Sequence, residues 1–195
     1  MILGRFLAAA FLAAATSGAA LAQDARRGAE LATPCLQCHG GNGRSQMETI
    51  PSLAGQPADF ITIQMILLRE GLRQAPAMAP FAANLPDRDI EDLAAYFAAL
   101  PPGPPDDRRP SDPALIAAAQ ALVGPRHCAT CHVADYGGRN QIPRIAAQRE
   151  EYLVAAMTQY RDGTRAGPDT QMNGAVVGLS DADIAALAHF LAQKP

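Results

Sequence analysis

Residues 124–135, GPRHCATCHVAD, hold two cysteines with two residues between them and a histidine on either side, His127 and His132. A pair this close suits a zinc site, a dithiol redox centre or a covalently held cofactor. Residues 33–44, TPCLQCHGGNGR, decide between these, because they repeat the pattern and keep only the histidine that follows the second cysteine. All four cysteines of the chain thus fall in two CxxCH units. That unit is the attachment signature of c-type haem. Each thiol adds to a vinyl group to form a thioether, and the helical turn between the thiols delivers the next side chain to the iron. Cys35 and Cys38 are therefore expected to anchor one haem with His39 as axial ligand, and Cys128 and Cys131 a second with His132. His127 stands on the wrong side of its pair for that role.

The rival readings fit less well. A structural zinc site gathers four ligands, normally from pairs close in sequence, whereas these pairs lie about ninety residues apart in separate copies of a repeat. A thioredoxin-like dithiol belongs in a βαβ setting, and no strand-like alternation occurs near either motif.

The chain opens with MILGRFLAAAFLAAATSGAALAQ, one early charge at Arg5 and then an apolar run too short to span a bilayer, ending in Ala20-Leu21-Ala22. This is the pattern of a secretory signal peptide over residues 1–22, cleaved after about Ala22. Export agrees with covalent haem, which is assembled outside the bacterial cytoplasmic membrane, and places the mature protein in the periplasm. Loss of Arg5 takes the formal charge from −3 to −4. No basic patch suited to nucleic acid is present. No later segment is long and apolar enough to cross a membrane.

Residues 101–113, PPGPPDDRRPSDP, deny both helix and sheet and form an extended spacer. They separate a first domain, 23–100, from a second, 114–195. The two correspond throughout: IPSLAGQPADFITIQMILLREGLRQAP from Ile50 matches IPRIAAQREEYLVAAMTQYRDGTRAGP from Ile142, and NLPDRDIEDLAAYFAAL from Asn84 matches GLSDADIAALAHFLAQ from Gly178. Both copies are predicted all-α. Ile90, Leu93, Ala94, Phe97 and Leu100 follow helical spacing in the last helix of the first copy, as do Ile184, Leu187, Ala188 and Leu191 in the second. Asp87 and Ser180 are candidate N-caps, and middle helices from about Pro57 and about Arg149 end at Gly71 and Gly163. Shorter helices, 25–32 and 114–123, precede the haem motifs.

A haem iron held by one histidine has a second axial position, whose occupant separates electron transfer from catalysis. Methionine favours the ferrous state and raises the potential. Duplication pairs Met65 with Met157 and Met78 with Met172, so it does not choose. Local context does: Met65 and Met157 fall mid-helix among apolar residues and read as core fillers, whereas Met78 and Met172 occupy irregular segments rich in proline or glycine, 39 and 40 residues after their histidines. Met47 has no partner in the repeat. A bis-histidine iron using His189 is the competing arrangement, but the first copy has Ala95 there, which favours packing. Pro51 and Pro143 follow the two histidines closely, and a carbonyl beside each would supply the acceptor that a ligating imidazole needs for its other nitrogen.

Tandem CxxCH domains after a signal peptide, each with I-P-x-[LI]-A-[GA]-Q, a helix, an R-x-G-x-R turn (Arg69, Gly71, Arg73; Arg161, Gly163, Arg165), a loop methionine and a closing helix, resemble the dihaem cytochrome c4 family. The resemblance covers almost all of the mature chain. It implies two class I cytochrome c folds facing one another, His39 with Met78 and His132 with Met172 as axial pairs, and the Pro51 and Pro143 carbonyls as histidine acceptors. It also implies a soluble or loosely membrane-associated carrier of single electrons, with redox proteins such as a terminal oxidase or an upstream dehydrogenase as partners. The alternative is the dihaem subunit of a larger dehydrogenase, resembling the cytochrome subunit of flavocytochrome c sulfide dehydrogenase. A dihaem enzyme such as a peroxidase would need an open axial site. Two departures bear on the packing between the halves: Ala147 replaces Gly55 in the second copy, and ALVGPRHC is a shorter approach to the haem motif.

Each copy has about eighty residues, few aromatics and no tryptophan, a composition that builds a thin core unless a porphyrin adds apolar mass. The haem-free chain is therefore expected to lack a cooperative unfolding transition and most of its helical circular dichroism.

Overall fold

In the computed structural model, which describes residues 23–165 and 170–195, ten helices run in two matching sets of five. The first set is α1 (Ala25–Leu31), α2 (Thr33–His39), α3 (Ala58–Arg69), α4 (Ala79–Ala82) and α5 (Asp87–Ala99). The second is α6 (Pro113–Val123), α7 (Cys128–His132), α8 (Glu150–Arg161), α9 (Gln171–Val176) and α10 (Asp181–Ala192). Among the described residues there is no strand, only an isolated bridge between Arg139 and Ile142. The fold is all-α, as the periodicity predicts. The expected signal peptide, 1–22, lies outside the described residues.

In each half the first and last helices cross, and the middle helix packs against the last. The α1–α5 crossing is so close that a Cβ on Gly28 would lie 2.0 Å from the Asp92 carbonyl oxygen and 2.9 Å from Tyr96 Cβ. Only glycine fits there. Charge completes the crossing: Arg27 reaches Asp92 and Asp89, each at 2.6 Å, and the Asp24 N–H donates to Asp92 at 2.7 Å. The second half uses apolar contact instead, with Ala119 of α6 and Ala186 of α10 in a core that includes Leu153, Met157, Leu187 and Phe190.

Capping follows local chemistry. Ser180 and Asp183 form the capping box that starts α10. Asp87 does not cap α5. Pro86 occupies that position, where the second copy has Ser180, and Asp87 is the first helical residue, its carboxylate paired with Arg69 at 2.7 Å as Asp181 is with Arg161. Gly71 (φ 69°) and Gly163 (φ 70°) turn the chain left-handed just past α3 and α8.

The proline-rich segment is tied down along its length. Arg149, almost wholly buried, bonds Asp107 at 2.5 Å, Arg109 meets Glu150 at 3.0 Å, and Gln193 donates to the Arg109 carbonyl. At its end the Asp112 N–H donates to His189 Nε2 at 2.8 Å. A backbone amide can only donate, so Nε2 is unprotonated and Nδ1 carries the hydrogen that faces Glu150 at 2.9 Å. His189, fully buried, thus anchors the start of α6 to α8 and α10 with both ring nitrogens engaged.

The halves meet through an exchange of glutamines. Gln148 accepts from the Ser52 N–H (2.7 Å) and donates to the Ser52 carbonyl (2.9 Å). Gln56 does the same to Arg144, at 3.0 and 2.8 Å. Ala147 adopts the left-handed conformation (φ 55°) that Gly55 adopts (φ 68°), and each donates its N–H to the closing helix, to Leu191 and Phe97 respectively. The alanine substitution therefore preserves this turn, at a local cost of about 1–2 kcal/mol.

Gly28→Ala is expected to destabilise the first half by about 1–3 kcal/mol through overpacking at the α1–α5 crossing, read from urea unfolding. Asp92 is held below the usual carboxylate range by the Asp24 N–H and then by Arg27. A depressed carboxyl stabilises the fold above its unfolded value, about 3.9, and loses that contribution as pH falls through the folded value. Asp92→Asn should therefore lower the urea midpoint at pH 7 and reduce the further loss on acidification below about pH 4.

Candidate haem-binding sites

Helices α2 and α7 each carry a CxxCH unit on little more than one turn. Residues three and four apart share a helix face, so the first thiol, the second thiol and the histidine point into one sector. Burial is graded across that sector: Cys38 is exposed, Cys35, Cys128 and Cys131 are half-buried, and His39 and His132 are 5% and 6% exposed. All four thiols are free of disulfides. Burial pushes the Cys35 and Cys128 thiols up from their ordinary value. Gly40 (φ 86°) ends the first motif, whereas left-handed His127 (φ 55°) and Val133 (φ 61°) bracket the second. His127 itself is exposed; its part is to turn the backbone into α7.

The histidines are oriented by backbone. His39 Nδ1 lies 2.8 Å from the Pro51 carbonyl oxygen, and His132 Nδ1 lies 2.9 Å from that of Pro143. A carbonyl only accepts, so Nδ1 bears the hydrogen in both rings. Desolvation holds both imidazoles below their ordinary pKa despite the opposing pull of these bonds. A neutral ring protonated at Nδ1 leaves the Nε2 lone pair as its one metal-binding position.

The methionines sort differently. Met157 is buried in the second core and Met65 packs against the first, as expected of fillers. Met47 is about half exposed in a loop. Met78 is half-buried at the N-cap of α4, whose first turn contains Pro80. Met172 lies inside α9 rather than in an irregular segment, packed against the core cluster that also touches Cys128. Asn173 makes the difference: its amide donates to the Tyr160 and Arg165 carbonyls and draws the segment onto α8. His189 has no nitrogen left for iron.

One feature escaped the sequence reading. Arg73 and Arg165, the last residues of the two R-x-G-x-R turns, converge from opposite halves on Tyr152 of α8. Arg73 also donates to Gln64 at 2.7 Å, and Arg165 to the Tyr152 hydroxyl at 3.2 Å. Burial alone would raise the Tyr152 hydroxyl, but the Arg165 and Arg73 guanidiniums hold it below its usual value. Among the described residues neither arginine forms a salt bridge, and buried Arg165 Nε has no hydrogen-bond partner. Two desolvated cations of this kind fit an anionic group such as a haem carboxylate. The repeat marked both positions, but nothing in the spacing showed that they meet.

Paired thiols, a single imidazole lone pair per motif and a desolvated guanidinium in each half together define a tandem c-type cytochrome of the class I fold. The second half, residues 116–194, matches the family model described as cytochrome c, and residues 22–97 match that described as cytochrome c oxidase, cbb3-type, subunit III. Cytochrome c4 of Thiocapsa roseopersicina is 34% identical over 80% of this chain and 85% of its own. A thiosulfate dehydrogenase electron acceptor of Stutzerimonas stutzeri is 31% identical over 83% and 79%. The crystal structure of reduced recombinant cytochrome c4 from Pseudomonas stutzeri superposes with a TM-score of 0.81 at 28% identity, covering 89% of this chain and all of that one. The chain belongs to the cytochrome c4 family, and it carries two covalently attached haem c groups, one at Cys35 and Cys38 and one at Cys128 and Cys131.

Proposed function

We propose that this protein is a periplasmic carrier that passes single electrons between respiratory partners through two haems with histidine–methionine ligation. The observation that carries the reading is the pair of buried imidazoles, His39 and His132, each held by a backbone carbonyl with Nε2 as its one position for iron. When bound, each haem supplies a one-electron Fe(III)/Fe(II) couple. The chain's part is to hold its ligands still, since little rearrangement between redox states favours rapid transfer. The Pro51 and Pro143 carbonyls keep the two rings in one tautomer and orientation. Met78, at the N-cap of α4, and Met172, in α9, would supply a thioether sulfur to each haem, a soft donor that would favour the ferrous state. The domains extend over 23–100 and 114–195, with 101–113 between them and export directed by residues 1–22.

Among the described residues no helix is long and apolar enough to cross a membrane. Partners are redox proteins, such as a terminal oxidase or an upstream dehydrogenase, with loose membrane association compatible with either. A second reading, as the dihaem electron-transfer component of a larger dehydrogenase complex, is favoured by the relative named as a thiosulfate dehydrogenase electron acceptor.

Periplasmic preparations should yield two haems per chain and a ferric methionine–iron charge-transfer band. Met78→Ala and Met172→Ala are each expected to remove about half of that band, and retention of the full band in either would overturn the ligand assignment. A monomer on gel filtration supports the free carrier. Co-purification with a catalytic subunit supports the complex.

A further inference from the structure

The peptide unit between Pro51 and Ser52 is bonded at both ends. Its carbonyl takes the His39 Nδ1 hydrogen (2.8 Å), and its N–H, on Ser52, donates to Gln148 Oε1 of the other half (2.7 Å). The Pro143–Arg144 peptide repeats the arrangement: its carbonyl takes the His132 hydrogen (2.9 Å) and its N–H donates to Gln56 Oε1 (3.0 Å). Each proximal imidazole is thus connected, through one planar amide, to a glutamine of the opposite domain. Gln56, Gln148 and Ser52 are all 4–5% exposed, so the Ser52–Gln148 bonds are made away from water, while the Gln56 bonds to half-buried Arg144 are partly shielded.

Amide resonance couples the two ends. An acceptor on the N–H shifts electron density toward the carbonyl oxygen, and bonds in such a chain strengthen one another by about 10–30% each. A stronger acceptor on Nδ1–H gives the imidazole more anionic character, and such a ligand favours ferric iron. The glutamine amide group also donates back to the same residue's carbonyl, to Ser52 and to Arg144, so its plane is held in register.

We propose that Gln148 and Gln56 are crossed tuning residues: Gln148 lowers the potential of the haem ligated by His39, and Gln56 lowers that of the haem ligated by His132. Each haem's potential therefore depends on docking of the other domain. The two relays are unequal. The Ser52–Gln148 bond is the shorter, while Gln148 Oε1 also accepts from its neighbour Arg149 at 2.9 Å, a second donor that Gln56 Oε1 lacks among the described residues.

This inference rests on His39 and His132 being the proximal ligands. The test is spectroelectrochemical titration of the dihaem protein with histidine-selective ¹⁵N NMR of the ferric state, in wild type, Gln148→Leu, Gln148→Glu and Gln56→Leu. Gln148→Leu should raise the potential of the first haem up to tenfold in its reduction equilibrium, about 59 mV for one electron, and move the His39 ring signals while those of His132 hold. Gln56→Leu should do the reverse. Gln148→Glu, which keeps an acceptor on the Ser52 N–H, should leave the first haem's potential unchanged or lower it. An unmoved first-haem potential in Gln148→Leu, or equal shifts of both haems in every variant, would overturn the proposal. Absence of paramagnetically shifted His39 and His132 ring signals in the wild type would instead show that the ligand assignment is wrong.

Discussion

The arrangement on which the rest of the structure depends is the hydrogen bond from each buried motif imidazole to a backbone carbonyl, His39 to Pro51 and His132 to Pro143. A buried imidazole without a partner at Nδ1 would rotate or change tautomer, and its other nitrogen would lose its direction. Meeting that demand dictates the loop after each haem motif. In the first half Leu53 and Ala54 donate to the Gly43 carbonyl, and in the second Ile145 and Ala146 donate to that of Tyr136, which places the acceptor residue beside the ring in both. Gly55 and Ala147 then tie the same loop to the closing helix.

That loop is also where the halves meet, and this explains why the copies diverge so unevenly. Residues that face the haem motif and the opposite domain at once, such as Gln56 and Gln148, hold equivalent places and make equivalent bonds. Residues at the α1–α5 and α6–α10 crossings answer only to their own half. There Gly28 and the Arg27–Asp92 pair in one copy are replaced by alanine contacts and a larger apolar cluster in the other. His189 belongs to the second group: it serves the linker, which only the second half receives at its first helix.

Much of the architecture was legible in the residues. The doubled CxxCH units, helical periodicity and the Ser180 capping box are local patterns, and local patterns survive folding because each is enforced within a few residues. The differences lie at segment ends. Asp87 looks like a cap but stands one residue inside α5, after Pro86, with its carboxylate on Arg69. The Met172 segment looked irregular, yet Asn173 finds carbonyls on and just beyond α8 and draws a short helix against it.

By itself the sequence determined the chemistry that depends on spacing along one helix: which four thiols take haem, which histidine follows them, and that the chain is two copies of one all-α unit. What only the tertiary structure decided is how those units face one another. Gln148 reaching Ser52 across 96 residues, Gln56 reaching Arg144 across 88, and Arg73 and Arg165 converging on one tyrosine are relations between surfaces. No periodicity encodes them, because they depend on the relative position of two domains rather than on the order of residues within either.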